Sequence, residues 1–140
     1  MFAVRTNGRR TVRGVLAGVL VVAAMAAGCG GSSPEARPTT PARMQIVEPT
    51  PNEVTGPNFT VQVDVLGGKL VKATSGKLTP NEGHVHLTLD GKPYVMSYNA
   101  KRDFENVTPG PHSLQAEFVA KDHAPFTNRP RAFVRFNVGG

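Results

Sequence analysis

Residues 83–91 read GHVHLTLDG. Val85, Leu87 and Leu89 fall at every second position, and His84, His86 and Thr88 take the places between. Successive side chains of a strand point to opposite faces, so this stretch predicts a strand with one buried and one wet face. Asp90-Gly91 ends it with a short hairpin signal, because a tight hairpin turn needs residues that tolerate positive φ. The segment PYVMSY then forms the returning strand.

The same period of two recurs outward from this strand. Phe59, Val61, Val63 and Val65 alternate with polar residues, as do Leu114, Ala116 and Phe118, and Ala132, Val134, Phe136 and Val138 alternate with Arg131, Phe133, Arg135 and Asn137. Pro109-Gly110-Pro111 punctuates the chain before the HSLQAEF run. Weaker strands are expected at MQIVE, at KLVKA and around Phe104, and no stretch from Met44 onward carries a capped helical stripe. About seven strands in one hundred residues predict an all-β fold, an antiparallel immunoglobulin-like β-sandwich, with a small open barrel as the alternative. The expected core comprises Val61, Val63, Val65, Val85, Leu87, Leu89, Leu114, Phe118, Val134 and Phe136. There is no Cys…Trp…Cys signature, so an antibody-type domain is not expected.

The chain divides into three parts. Residues 1–28 begin with MFAVRTNGRRTVR, which has four arginines and no acid, and continue into the apolar run GVLAGVLVVAAMAAG. A basic start, a short apolar run and small residues before a cut site mark an export signal. The run is short for a membrane span, which needs roughly 20 apolar residues. The ending MAAGC resembles the lipobox of bacterial lipoproteins, although the leucine usual three residues before the cysteine is Ala26 here. That resemblance implies cleavage before Cys29 and a diacylglycerol on its sulfur. As the only cysteine, Cys29 has no disulfide partner within the chain. Arg9-Arg10 resemble a twin-arginine signal, without the large apolar residue usual two places after the pair.

Residues 29–43 are then the lipidated cysteine and a flexible tether rich in Gly, Ser, Thr and Pro, which holds no large apolar residue. Residues 44–140 are the sandwich. The expected location is the cell membrane, lipid-anchored and facing the extracytoplasmic side.

Removing the signal changes the charge argument. The whole chain has 16 basic and 10 acidic residues, and four of the basic ones belong to residues 1–28. A near-balanced domain with dispersed lysines and arginines gives no ground for nucleic-acid binding.

Three stretches together, EPTPNEVTGPNFTVQVDV, GHVHLTLDG and VTPGPHSLQAEFVAKDHAPF, resemble a group of exported bacterial immunoglobulin-like domains of unknown function. The shared features are a Gly-His-x-His strand ending in Asp, a Pro-Gly-x-His-x-Leu strand start, and a late Asp-x-x-His or Asp-His. The resemblance implies the sandwich and the exported location, and it brings no activity.

Catalysis is not expected. The domain has no thiol, its Ser75, Ser97 and Ser113 lie in no nucleophile-elbow context, and neither HExxH nor a phosphate-binding glycine loop is present. The histidines are the remaining chemistry. With HVHLTLD and PHSLQAEFVA as antiparallel neighbours, His123 returns to the end of the sheet that holds His84 and His86, near Glu82 and Asp122. His112 falls near Asp90, about 20 Å away along a seven-residue strand. Three imidazoles can hold Zn(II) or Cu(II). Two readings therefore stand side by side. One is a lipid-anchored module that binds an envelope partner or supports the envelope. The other is a copper or zinc binding lipoprotein using His84, His86 and His123.

Overall fold

The alternation read from the sequence is realised as two facing sheets. A computed structural model describes residues 36–140; the signal segment and Cys29 lie outside the described residues. The strands are β1 (Arg43–Glu48), β2 (Val54–Thr55), β3 (Phe59–Leu66), β4 (Lys69–Leu70), β5 (Glu82–Leu89), β6 (Val95–Ser97), β7 (Lys101–Phe104), β8 (Gly110–Ala120) and β9 (Arg131–Val138). One sheet has the order β1-β3-β7. The other runs β2-β9-β8-β5-β4, and β6 also pairs with β5.

The core sits between the sheets. Val61 and Val63 of β3 join Val85, Leu87, Leu114, Phe118, Val134 and Phe136 of the larger sheet in one buried cluster. Val65 and Leu89 pack against it half-buried. Phe59 of the small sheet meets Phe136 of the large one edge to face, with ring centroids 5.1 Å apart. Each fully buried Val, Leu or Phe contributes about 1.5–3 kcal/mol over its exposed state, so the apolar stripe decides which face turns inward. Phe133, out of phase with that stripe, is 67% exposed.

The β5–β8 register places the chemistry. Val85 opposes Phe118 and Leu87 opposes Ala116 on the core face, while His84 opposes Val119 and His86 opposes Glu117 on the outer face. Gly83 opposes Ala120, and a β-carbon at 83 would run into the Val119 carbonyl oxygen. The glycine that opens GHVH therefore lets β8 come close.

Four expectations need correction. The sheets are mixed rather than wholly antiparallel: β2 runs parallel to β9, and β4 runs parallel to β5. Both are two-residue edge pairings, in which a connecting segment comes beside a strand already running its way. In the KLVKA segment only Lys69–Leu70 forms a strand, although Val71 still donates its N–H to the Gly83 carbonyl at 2.8 Å. Alternation also fails at the end of β8, where Ala116, Glu117, Phe118, Val119 and Ala120 are all buried. There the chain folds back, Pro125 bridges to Val119, and Phe126 stacks on Phe118 with centroids 5.3 Å apart. Within the segment expected as tether, Thr40 exchanges hydrogen bonds with Asn128, and Ala42 enters the core.

Candidate metal centre

β5 carries two histidines to the outer face, and the loop after β8 supplies the third. His84 Nε2 stands 3.2 Å from His86 Nε2 and 3.0 Å from His123 Nδ1. All three ligand atoms lie within 4.8 Å of one another. His112 is at the far end of β8, where its two ring nitrogens lie 2.7 Å from Asp90 Oδ2 and 2.7 Å from the Thr108 carbonyl oxygen. The structure thus brings His84, His86 and His123 together and holds His112 apart.

The strand histidines do not face water. His84 is 0% exposed and His86 is 8% exposed. Tyr94 lies flat on the His86 ring, with centroids 3.7 Å apart and planes 7° from parallel. Tyr98 approaches His84 at 5.3 Å, and Met96 stands opposite His86 in the β5–β6 register. The Asp90-Gly91 hairpin therefore folds its returning strand beside the histidines. Tyr94, Met96 and Tyr98 were all visible in PYVMSY, but only the hairpin register shows that Met96 opposes His86.

Burial pushes the His84 pKa down to about 4, with the nearby His123 adding to the fall and Asp122 opposing it. Burial likewise pushes His86 down to about 4, reinforced by His84 and His123 and opposed by Glu117. Both rings are neutral at neutral pH and keep a lone pair for a cation.

His123 sits at φ 67°, the left-handed region. A non-glycine residue there costs on the order of 1–3 kcal/mol, and such residues cluster at functional sites. The loop is tight: His123 N–H donates to the Ala120 carbonyl at 3.0 Å, and Ala120 N–H donates to the Ala124 carbonyl at 3.1 Å.

The two carboxylates expected nearby are engaged elsewhere. Lys121 donates to Glu82 Oε2 at 3.2 Å, and Arg37 holds Asp122 through two hydrogen bonds at 2.8 and 3.0 Å. The Arg37 hydrogen bond is the main cause that holds the Asp122 carboxyl below its ordinary value, against burial, which pushes it up. Glu117, beside His86, is forked by Arg129 at 2.8 and 3.1 Å. Ligation therefore falls to imidazole nitrogen.

The donor set fits a small divalent cation. Tetrahedral zinc with bonds of 2.0–2.1 Å separates its nitrogens by about 3.3 Å, close to the two contacts here. Without a cation, His84 Nε2 would have to meet two nitrogens at once with a single N–H or a single lone pair. One feature opposes ligation: His84 Nδ1 is buried with no hydrogen-bond partner. If Nε2 binds metal, Nδ1 must carry the proton, and an unpaired buried donor costs about 1–3 kcal/mol. Structural zinc sites bind with about 10–16 kcal/mol, so that penalty reduces affinity without abolishing it.

No protein-family model matches this chain. No curated protein matches it. Among solved structures, an engineered protein is similar at 10% identity and a TM-score of 0.48, over 71% of this chain and 20% of that one. Fibronectin(III)-like modules of Clostridium thermocellum CbhA give 14% identity and a TM-score of 0.44, over 68% of this chain and 93% of theirs. This chain spans about a fifth of the first structure and most of the second. At these scores neither likeness carries an argument about function.

Proposed function

We propose that this chain is a lipid-anchored, extracytoplasmic protein whose immunoglobulin-like domain binds Cu(II) or Zn(II) through His84, His86 and His123. The carrying observation is that three imidazole nitrogens converge within 4.8 Å, two of them on buried strand residues. For the finer fold, β1-β3-β7 and β9-β8-β5 correspond to the A-B-E and G-F-C orders of that sandwich. The site is read as a binding site rather than a catalytic one, because the carboxylates beside it are tied up by Arg37, Lys121 and Arg129. Cu(II) should bind more tightly than Zn(II), following the general order for nitrogen ligands.

Thermal unfolding of the chain in increasing Cu(II) and Zn(II) tests this. A ligand that binds only the folded state stabilises by about 2.7 kcal/mol at one hundred times its Kd, so the melting temperature must climb with metal. His86→Ala should abolish the climb, and His112→Ala should leave it intact. No climb in the unaltered chain at metal concentrations well above micromolar removes the metal reading and leaves a partner-binding envelope module.

A further inference from the structure

Of the three proposed ligands, only His123 is carried by a loop. His84 and His86 ride on β5, which is pinned by β8 on one side and by β4 and β6 on the other. Whether a cation meets three nitrogens or two therefore depends on what holds residues 121–125 in place.

The loop is gripped by a residue from the other end of the domain. Arg37 donates from Nε to the Pro125 carbonyl at 2.6 Å and from Nη2 to the Ala124 carbonyl at 2.9 Å. Nη1 and Nη2 reach the two carboxylate oxygens of Asp122 at 2.8 and 3.0 Å. One guanidinium thus binds residues 122, 124 and 125, bracketing His123. Its own backbone is fixed in turn, since Thr127 Oγ1 donates to the Arg37 carbonyl at 2.9 Å and Thr127 N–H donates to the Pro38 carbonyl at 3.1 Å. Only a planar fork with several donors can satisfy these acceptors together; an ammonium is a point charge and cannot.

We infer that Arg37 is a positioning residue for the metal site, holding the His123 ring over His84 and His86 without touching the cation. The inference rests on the metal reading above. It also ties the third ligand to the segment through which the domain joins the proposed anchor. Arg37 and Asp122 side chains are 33% and 41% exposed, and exposed ion pairs add little to global stability. The signature of positioning is then a large change in affinity with a small change in folding.

The test is competition for Zn(II) and Cu(II) against a chromophoric chelator, using the full chain. Arg37→Ala should weaken metal binding about 10–100-fold, the usual effect of losing a partner that orients a ligand, while the melting temperature of the metal-free chain barely moves. Arg37→Lys should lose most of the same affinity. In a His123→Ala background, Arg37→Ala should have no further effect, because the ring it positions is gone. A role confined to stability would persist in that background. Undiminished affinity in Arg37→Ala, full affinity in Arg37→Lys, or a persisting loss in the double variant each overturns the inference while leaving the metal site standing. Absence of binding by the unaltered chain overturns both.

Discussion

At the level of single residues, His112 responds to acid in the opposite way to His84 and His86. His112 donates from both ring nitrogens, so it is held as an imidazolium, and its hydrogen bond to Asp90 is the main cause that raises its pKa above 6.5. A raised folded-state pKa gives stability that is complete below pH 6.5 and is lost as pH rises through the folded value. For Asp90, burial pushes the carboxyl up, but the Ser113 N–H and the His112 ring outweigh it and hold it below 3.8. Its share is present above pH 3.8 and is lost as pH falls through the lower folded value. His84 and His86, pushed down to about 4, behave in reverse: their share is present above pH 6.5 and is lost as pH falls toward about 4. In the metal-free chain, His112→Ala should therefore destabilise most between pH 3.8 and 6.5 and much less in alkali. Urea midpoints at about pH 5 and about pH 9 give the comparison. An equal penalty at both would mean that the pair contributes packing and no charge.

Among the elements, β5 carries the most consequence, and its first glycine shows why. A β-carbon at Gly83 would meet the Val119 carbonyl oxygen, with the Phe118 ring only 3.2 Å away. Backbone on the facing strand cannot yield as a flexible side chain can. Gly83→Ala should therefore destabilise by about 1–3 kcal/mol, the usual range for overpacking. Gly56→Ala, where the nearest atom would be 3.8 Å away, should be close to neutral. Both are read from the urea midpoint at constant slope. If Gly83→Ala proves neutral, β5 and β8 are not as close as their register implies. Because that register also sets His84 opposite Val119 and His86 opposite Glu117, the same variant should weaken metal binding.

For the whole molecule, the open matter is attachment. Among the described residues no helix is long and apolar enough to cross a membrane. The proposed attachment runs through Cys29, which lies outside the described residues. A single acyl chain holds a protein to a bilayer only marginally, whereas two or more hold it stably. Cys29→Ser should therefore release the chain from membrane fractions or stall its processing, read by fractionation and mass. A mature Cys29→Ser protein that still sediments with membranes would refute the lipobox reading. The same variant should keep its metal response, since Cys29 is no part of the histidine site.

What the sequence determined by itself was local in origin. The period of two at Val85, Leu87 and Leu89 settles which face of β5 is buried, because side-chain direction along a strand depends only on position. Asp90-Gly91 settles the turn through backbone φ, and Asp90 does adopt φ 52°. Pairing HVHLTLD with PHSLQAEFVA as antiparallel neighbours of a sandwich was enough to put His123 at the His84 end and His112 at the Asp90 end. The tertiary structure alone decided the environment of those rings. The outer face of β5 was expected to be wet, yet Tyr94, Tyr98 and the 121–125 loop pack against it, and His84 and His86 are buried there beside a half-buried His123. It alone also joined Arg37 to Asp122, 85 positions away in the chain. Such contacts depend on where loops and termini come to rest, and that is fixed by packing across the whole domain, which a local period does not encode.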